Sequence, residues 1–178
     1  MTGTTVCYDA VTMSSTDPGE VLSGVMHVLG DGPSNDETLD AVLGRLLERL
    51  DCVAGTIHRF SPASGLLELA AARGVPEAVR QRAARVPIGK GMGGIAAERR
   101  APVQVCNLQT DTSGVARPAA RETPVEGAIA VPMLVEGALH GVLGVAKATA
   151  YEFSEDEVDL LLRAGELIGR SIPCDTHA

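Results

Sequence analysis

Two pairs of strand-like runs, each joined by a turn far too short for a crossover, constrain this chain more than any other feature. Val53–Phe60 and Leu66–Ala72 flank Ser61-Pro62-Ala63-Ser64-Gly65, and Ala128–Val135 and Leu139–Lys147 flank Glu136-Gly137. Parallel neighbours need a connection of a dozen or more residues. Short links rich in Ser, Pro and Gly make hairpins instead. Both pairs are therefore antiparallel, and a doubly wound parallel sheet is excluded.

Segments of helical period surround the hairpins. Leu39, Val42, Leu43, Leu46, Leu47 and Leu50 form an apolar stripe at helical spacing. Upstream, Asp17-Pro18-Gly19-Glu20 reads as a helix start: Asp17 caps, Pro18 suits the first position and Glu20 completes a capping box. Val21, Leu22, Val25, Met26 and Leu29 follow. Ser34 with Glu37 reads as a second capping box. Ser154 with Glu157 is a third, with Phe153 and Val158 placed as a hydrophobic staple. The last helix has two apolar seams, one through Val158, Leu161, Gly165, Ile168 and Ile172, the other through Leu160, Ala164 and Leu167, so it packs on two sides. Between the hairpins, Pro76–Arg85 predicts a short helix, Val86–Ile88 an extended piece, Gly91–Arg100 a helix and Pro102–Leu108 a strand. The order predicts an α+β sandwich, with helices from both chain ends on one face of an antiparallel sheet.

The chain divides into a disordered tail (1–16), an extra helix (17–33), one domain (34–172) and a short C-terminal tail (173–178). Its core must be aliphatic, because 178 residues include two Phe, two Tyr and no Trp. That scarcity and a formal charge of −8 argue against nucleic-acid binding, which needs stacking platforms or a basic field. The N-terminus lacks a basic region and an apolar run, and no stretch approaches the roughly 20 apolar residues of a membrane helix. A cytoplasmic protein without membrane contact is expected. Four scattered Cys with no CxxC predict free thiols rather than a disulfide framework or zinc site.

Gln109–Pro124 is the one long polar segment, and a structureless connection above about 12–15 residues is usually a binding loop, a lid or a linker. It holds Thr110, Asp111, Thr112, Ser113, Arg117, Arg121 and Glu122, with Glu126 at the next strand. The arginines suit a carboxylate or phosphate and the acids an ammonium group. The plain alternative is that these charges are solvated or pair with one another. Cys106 leads into the loop; without a base beside it in sequence it reads as an inert thiol near the site. The glycines of Gly89–Gly94 lack the P-loop and dinucleotide contexts and read as a tight turn into a helix. His58 and His140 lie in different hairpins, and a lone strand histidine is most often simply hydrogen-bonded, so no haem or metal is expected.

With these elements in place, the chain resembles a GAF domain. Val86–Val105 ("VPIGKGMGGIAAERRAPVQV") is similar to the family's glycine-rich turn, short helix and strand. Gly127–Lys147 resembles its central hairpin and Phe153–Ile172 its closing helix. The resemblance implies an antiparallel sheet of five or six strands, helices behind it, and a loop-roofed pocket on the other face. Gln109–Pro124 falls at that roof and reads as a pocket lid. A small polar ligand, amino-acid-like or nucleotide-like, is expected against Thr110, Asp111, Thr112, Arg117, Arg121, Glu126 and Cys106. The catalytic branch similar to free methionine-(R)-sulfoxide reductase places three cysteines where this chain has Ala83, Gly93 and Arg121, so that thiol cycle is not expected. The resemblance implies a small-molecule-binding sensory module, working through a homodimer of terminal helices or a separate signalling partner. The alternative is a pocket enzyme acting on a small polar metabolite by other chemistry.

Overall fold

A computed structural model describes residues 17–116 and 118–173. The expected tail 1–16, Arg117 and residues 174–178 lie outside the described residues. Helices α1 (Pro18–Leu29) and α2 (Asp36–Arg49) precede the hairpin β1 (Ala54–Ser61) and β2 (Leu66–Arg73). Next come α3 (Glu77–Ala83), β3 (Arg85–Pro87), α4 (Gly91–Arg99), β4 (Val103–Val105) and a 3-10 helix at Pro118–Glu122. The hairpin β5 (Ala128–Val135) and β6 (Ala138–Ala146) leads to α5 (Glu155–Ser171). Six strands form one antiparallel sheet in the order β3-β2-β1-β6-β5-β4. The two hairpins thus sit side by side, with β1 against β6.

α1, α2 and α5 cover one face. Ile57, Ile129, Val131, Met133, Leu143 and Val145 project from the strands into them and meet Leu39, Leu43, Leu46, Leu161 and Ile168, all buried. α5 packs on two sides as anticipated, against β5 and β6 and against α1. Val21, Val25 and Leu29 of α1 are buried within the chain as well. The apolar faces of the terminal helices are therefore largely covered by the chain itself. Met26 is the large apolar residue of α1 that stays exposed.

The capping box at α5 is present, with Ser154 and Glu157 bonding each other's backbone N–H. At α2 the cap is not the foreseen Ser34 but Asn35, whose Oδ1 accepts from Thr38 N at 2.8 Å. Asn caps as well as Ser, and Ser34 is engaged elsewhere: its N–H bonds the Ser171 carbonyl and its hydroxyl bonds Ser171 Oγ. Nor does Glu20 close a box at α1; it pairs with Arg49 at 2.8 Å, and Asp17 alone accepts from Gly19 N. β4 is also shorter than Pro102–Leu108.

A candidate ligand cavity on the open sheet face

The cavity follows from side-chain size on alternate strand positions. Successive residues of a strand point to opposite faces. On the helix face the central strands carry Ile, Leu, Met and Val. On the other they carry Ala54, Thr56 and His58 of β1, Val142, Gly144 and Ala146 of β6, and Ala128 and Ala130 of β5. Small residues leave room, and the cavity above them measures about 510 Å³. That lies within the usual range for small-molecule sites, roughly 300–1,000 Å³. Leu67 of β2 closes one end of the floor.

The walls come from the connections. α3 contributes Val79, Arg82 and Ala83; the start of α4 contributes Lys90, Gly91, Met92 and Gly93. A left-handed residue and one close approach place α4 there. Gly91 has φ +64°, and a Cβ on Gly94 would lie 2.3 Å from the Pro87 carbonyl oxygen. The turn closes with Gly89 N donating to Gly94 O at 2.8 Å. These glycines allow tight packing, in line with the plain reading of the motif.

The roof is the long polar segment. Leu108, Ala116, Pro118, Thr123 and Val125 face the cavity. The ends of the segment are held together: Gln109 Nε2 donates to the Thr123 and Val125 carbonyls at 3.0 and 2.8 Å, and Leu108 N to Glu126 O at 2.7 Å. Asp111 Oδ1 accepts from Ser113 N at 3.1 Å, and the Arg121 guanidinium donates to the Asp111 carbonyl. Hydrogen bonds from Ser113, its side chain foremost, hold the Asp111 carboxyl below its ordinary range. The roof is tied to α3 by Arg82–Glu122 at 2.7 Å, with both side chains about half exposed.

The residues foreseen as ligand contacts occupy this roof and its neck rather than the lining. Thr110, Thr112 and Arg121 are exposed, and Asp111 is half-buried within its turn. Glu126 is half-buried and accepts from Ala150 N at 2.8 Å. Arg117 lies outside the described residues. Cys106 is half-buried beyond β4 and is disulfide-bonded. This corrects the expectation of free thiols, because distance along the chain says nothing about which sulfurs meet in space. Cys52 is a free thiol, and burial pushes it up to about 12, which leaves it inert.

His58 is the lining residue with the most definite chemistry. It is 6% exposed, at a register shift between Ile57 and His58 in the β1–β2 pairing. Such bulges re-aim side chains. Its Nε2 is 2.8 Å from the Ala83 carbonyl. Burial lowers its pKa, partly countered by that bond, so the ring is neutral at neutral pH. His140 lies on the opposite face beside Gly169, so the two strand histidines do not meet. Among the described residues the lining has no carboxylate and no thiol.

The family model for the GAF domain matches residues 33–172, most of the chain. The chain belongs to the GAF domain family. Among solved structures, the GAF domain of a Coxiella burnetii phosphoenolpyruvate-protein phosphotransferase is similar at 20% identity, TM-score 0.76, covering 89% of this chain and 94% of that one. Free methionine-R-sulfoxide reductase from Neisseria meningitidis, in complex with its substrate, is similar at 20% identity and TM-score 0.74, covering 92% and 93%. No curated protein matches the chain significantly. Likeness at this identity shows the GAF fold and leaves the function to the residues. At the positions likened to the reductase cysteines, Ala83 and Gly93 line the cavity and Arg121 sits in the roof. No helix of the described residues is long and apolar enough to cross a membrane.

Proposed function

We propose that this GAF domain is a sensory module that binds a mostly apolar small molecule in the cavity beneath the 109–124 segment. The carrying observation is the lining itself: a floor of Ala128, Ala130, Val142 and Gly144, with Thr56 and His58 as its polar groups and Arg82 and Lys90 at its rim. Burying a polar ligand against such a floor would leave its groups without partners, at about 1–3 kcal/mol each on protein scales. The chemistry therefore favours an apolar body over the wholly polar metabolite suggested by the loop charges. Asp111, Arg121, Thr110, Thr112 and Glu126 act on this reading by shaping and holding the lid. Binding is favoured over catalysis because the described lining offers no acid–base pair and no thiol nucleophile.

The signal would pass to a separate partner or to a second copy of the chain. A homodimer through α1 and α5 would use Met26, 57% exposed on α1. Light scattering at micromolar concentration, with Met26→Glu as the disrupting variant, tests it.

Native mass spectrometry of the purified chain tests the main proposal, followed by thermal-shift screening of small apolar compounds. A ligand at about 100 times its Kd should add about 2.7 kcal/mol of stability. Gly93→Leu fills the cavity, because a Cβ there points at Val142 Cγ1, 3.7 Å away. It should abolish binding while the chain stays folded. Ligands that bind Gly93→Leu as they bind the unaltered chain would show that the site lies elsewhere.

A further inference from the structure

The geometry points to a ligand that donates a hydrogen bond, from an O–H or N–H group on an apolar ring, to Nδ1 of His58. This rests on the cavity being the ligand site. The argument starts from Ala83. A carbonyl oxygen only accepts, so the His58 nitrogen 2.8 Å from it, Nε2, must carry a hydrogen. A neutral imidazole has one ring N–H, so Nδ1 carries a lone pair and accepts. Among the described residues nothing donates to it. Its neighbours across the sheet are apolar: Val142 on β6 and Leu69 on β2 are its register partners.

Such an acceptor discriminates. His58 is buried on the cavity face of β1, and its ring is fixed at the far nitrogen, so the lone pair is held in place before any ligand arrives. A ligand that displaces solvent from it without returning a donor forfeits that hydrogen bond. A carboxylate or phosphate brings only acceptors and would set negative charge against a lone pair. The cationic side chains of the lining, Arg82 and Lys90, are both exposed at the rim, and Arg82 already faces Glu122. What fits is an apolar ring body over Ala128, Ala130 and Val142, with a hydroxyl or ring N–H turned toward β1. Phenols and indole-type heterocycles have this chemistry.

The test uses the whole chain at pH 7.5 and three probes: 2-naphthol, its methyl ether and naphthalene. Binding is measured by NMR titration, with the ring nitrogens of His58 labelled with 15N. 2-Naphthol should bind roughly three- to tenfold tighter than either donor-less probe, the size of one neutral hydrogen bond. It alone should shift the His58 Nδ1 resonance, and His58→Phe should bring the three probes level. If all three bind alike and Nδ1 does not move, the cavity is a ligand site but His58 does not read the ligand, and the inference fails by itself. If none binds, or if binding survives Gly93→Leu, the cavity reading fails and takes this inference with it. Should His58→Phe fail to fold, the Nδ1 resonance of the unaltered chain decides the question.

Discussion

Gly93 and Gly94 are neighbours in α4, and the same substitution at each should change stability in opposite directions. A Cβ on Gly93 meets Val142 Cγ1 at 3.7 Å, an ordinary contact, and the residue needs no unusual backbone. Gly93→Ala removes unfolded-state freedom and should stabilise by about 0.4–1 kcal/mol. A Cβ on Gly94 would lie 2.3 Å from the Pro87 carbonyl oxygen and 3.2 Å from Gly89 N, both backbone atoms that no rotamer change can move. Relieving that overlap costs about 1–3 kcal/mol. It also strains the 2.8 Å bond from Gly89 N to Gly94 O, worth about 1 kcal/mol. Offset by the same unfolded-state gain, Gly94→Ala should be less stable by about 1–3 kcal/mol. For a chain of this size 1 kcal/mol corresponds to about 2–4 °C in Tm. Urea and thermal denaturation of the two variants beside the unaltered chain measure the difference directly. If Gly94→Ala is as stable as Gly93→Ala, the close packing of α4 on the turn that forms the cavity wall is wrong.

The remaining tests address the site and its supports. The folded-state pKa of His58 lies below its ordinary value because of burial, so the unfolded chain binds the proton more readily. The stability His58 contributes is complete above about pH 6.5 and falls as pH drops below it; between about pH 7 and 5.5, His58→Phe should flatten that slope, and an unchanged slope would assign the titration to other groups. Arg82→Ala should cost at most about 1 kcal/mol, since the Arg82–Glu122 pair is half exposed. It should nonetheless speed amide exchange across 109–124, and an unaltered pattern would show that the pair does not hold the lid. Ser154→Ala removes the side-chain half of the α5 capping box and should cost about 0.5–2 kcal/mol by denaturation; a loss below about 0.3 kcal/mol would mean that Glu157 alone secures the helix start.

The parts of this protein whose causes are local can be read from its residues alone. Turn chemistry at Ser61–Gly65 and Glu136-Gly137 made the hairpins antiparallel, and β5 begins and ends where the apolar run does. The stripe from Leu39 to Leu47 and the Ser154–Glu157 box placed α2 and α5, because period and capping act over a few residues. The length of Gln109–Pro124 marked the segment that roofs the cavity. Other features depend on contacts between distant residues. Ser34 and Asn35 are equivalent caps in sequence, and the choice came from Ser171, 137 residues away from Ser34. The charges of the loop pointed to a polar site, but the fold set the Arg121 guanidinium on the Asp111 backbone carbonyl, the Asp111 carboxylate on its own turn, and Glu122 on Arg82. The small residues at Ala128, Ala130, Gly144 and Ala146 were in plain view as alternate strand positions. Alternation shows that they share a face but not that the face is open. A cavity exists only where the sheet, two short helices and a lid meet around small side chains, and that meeting lies in contacts far apart in sequence.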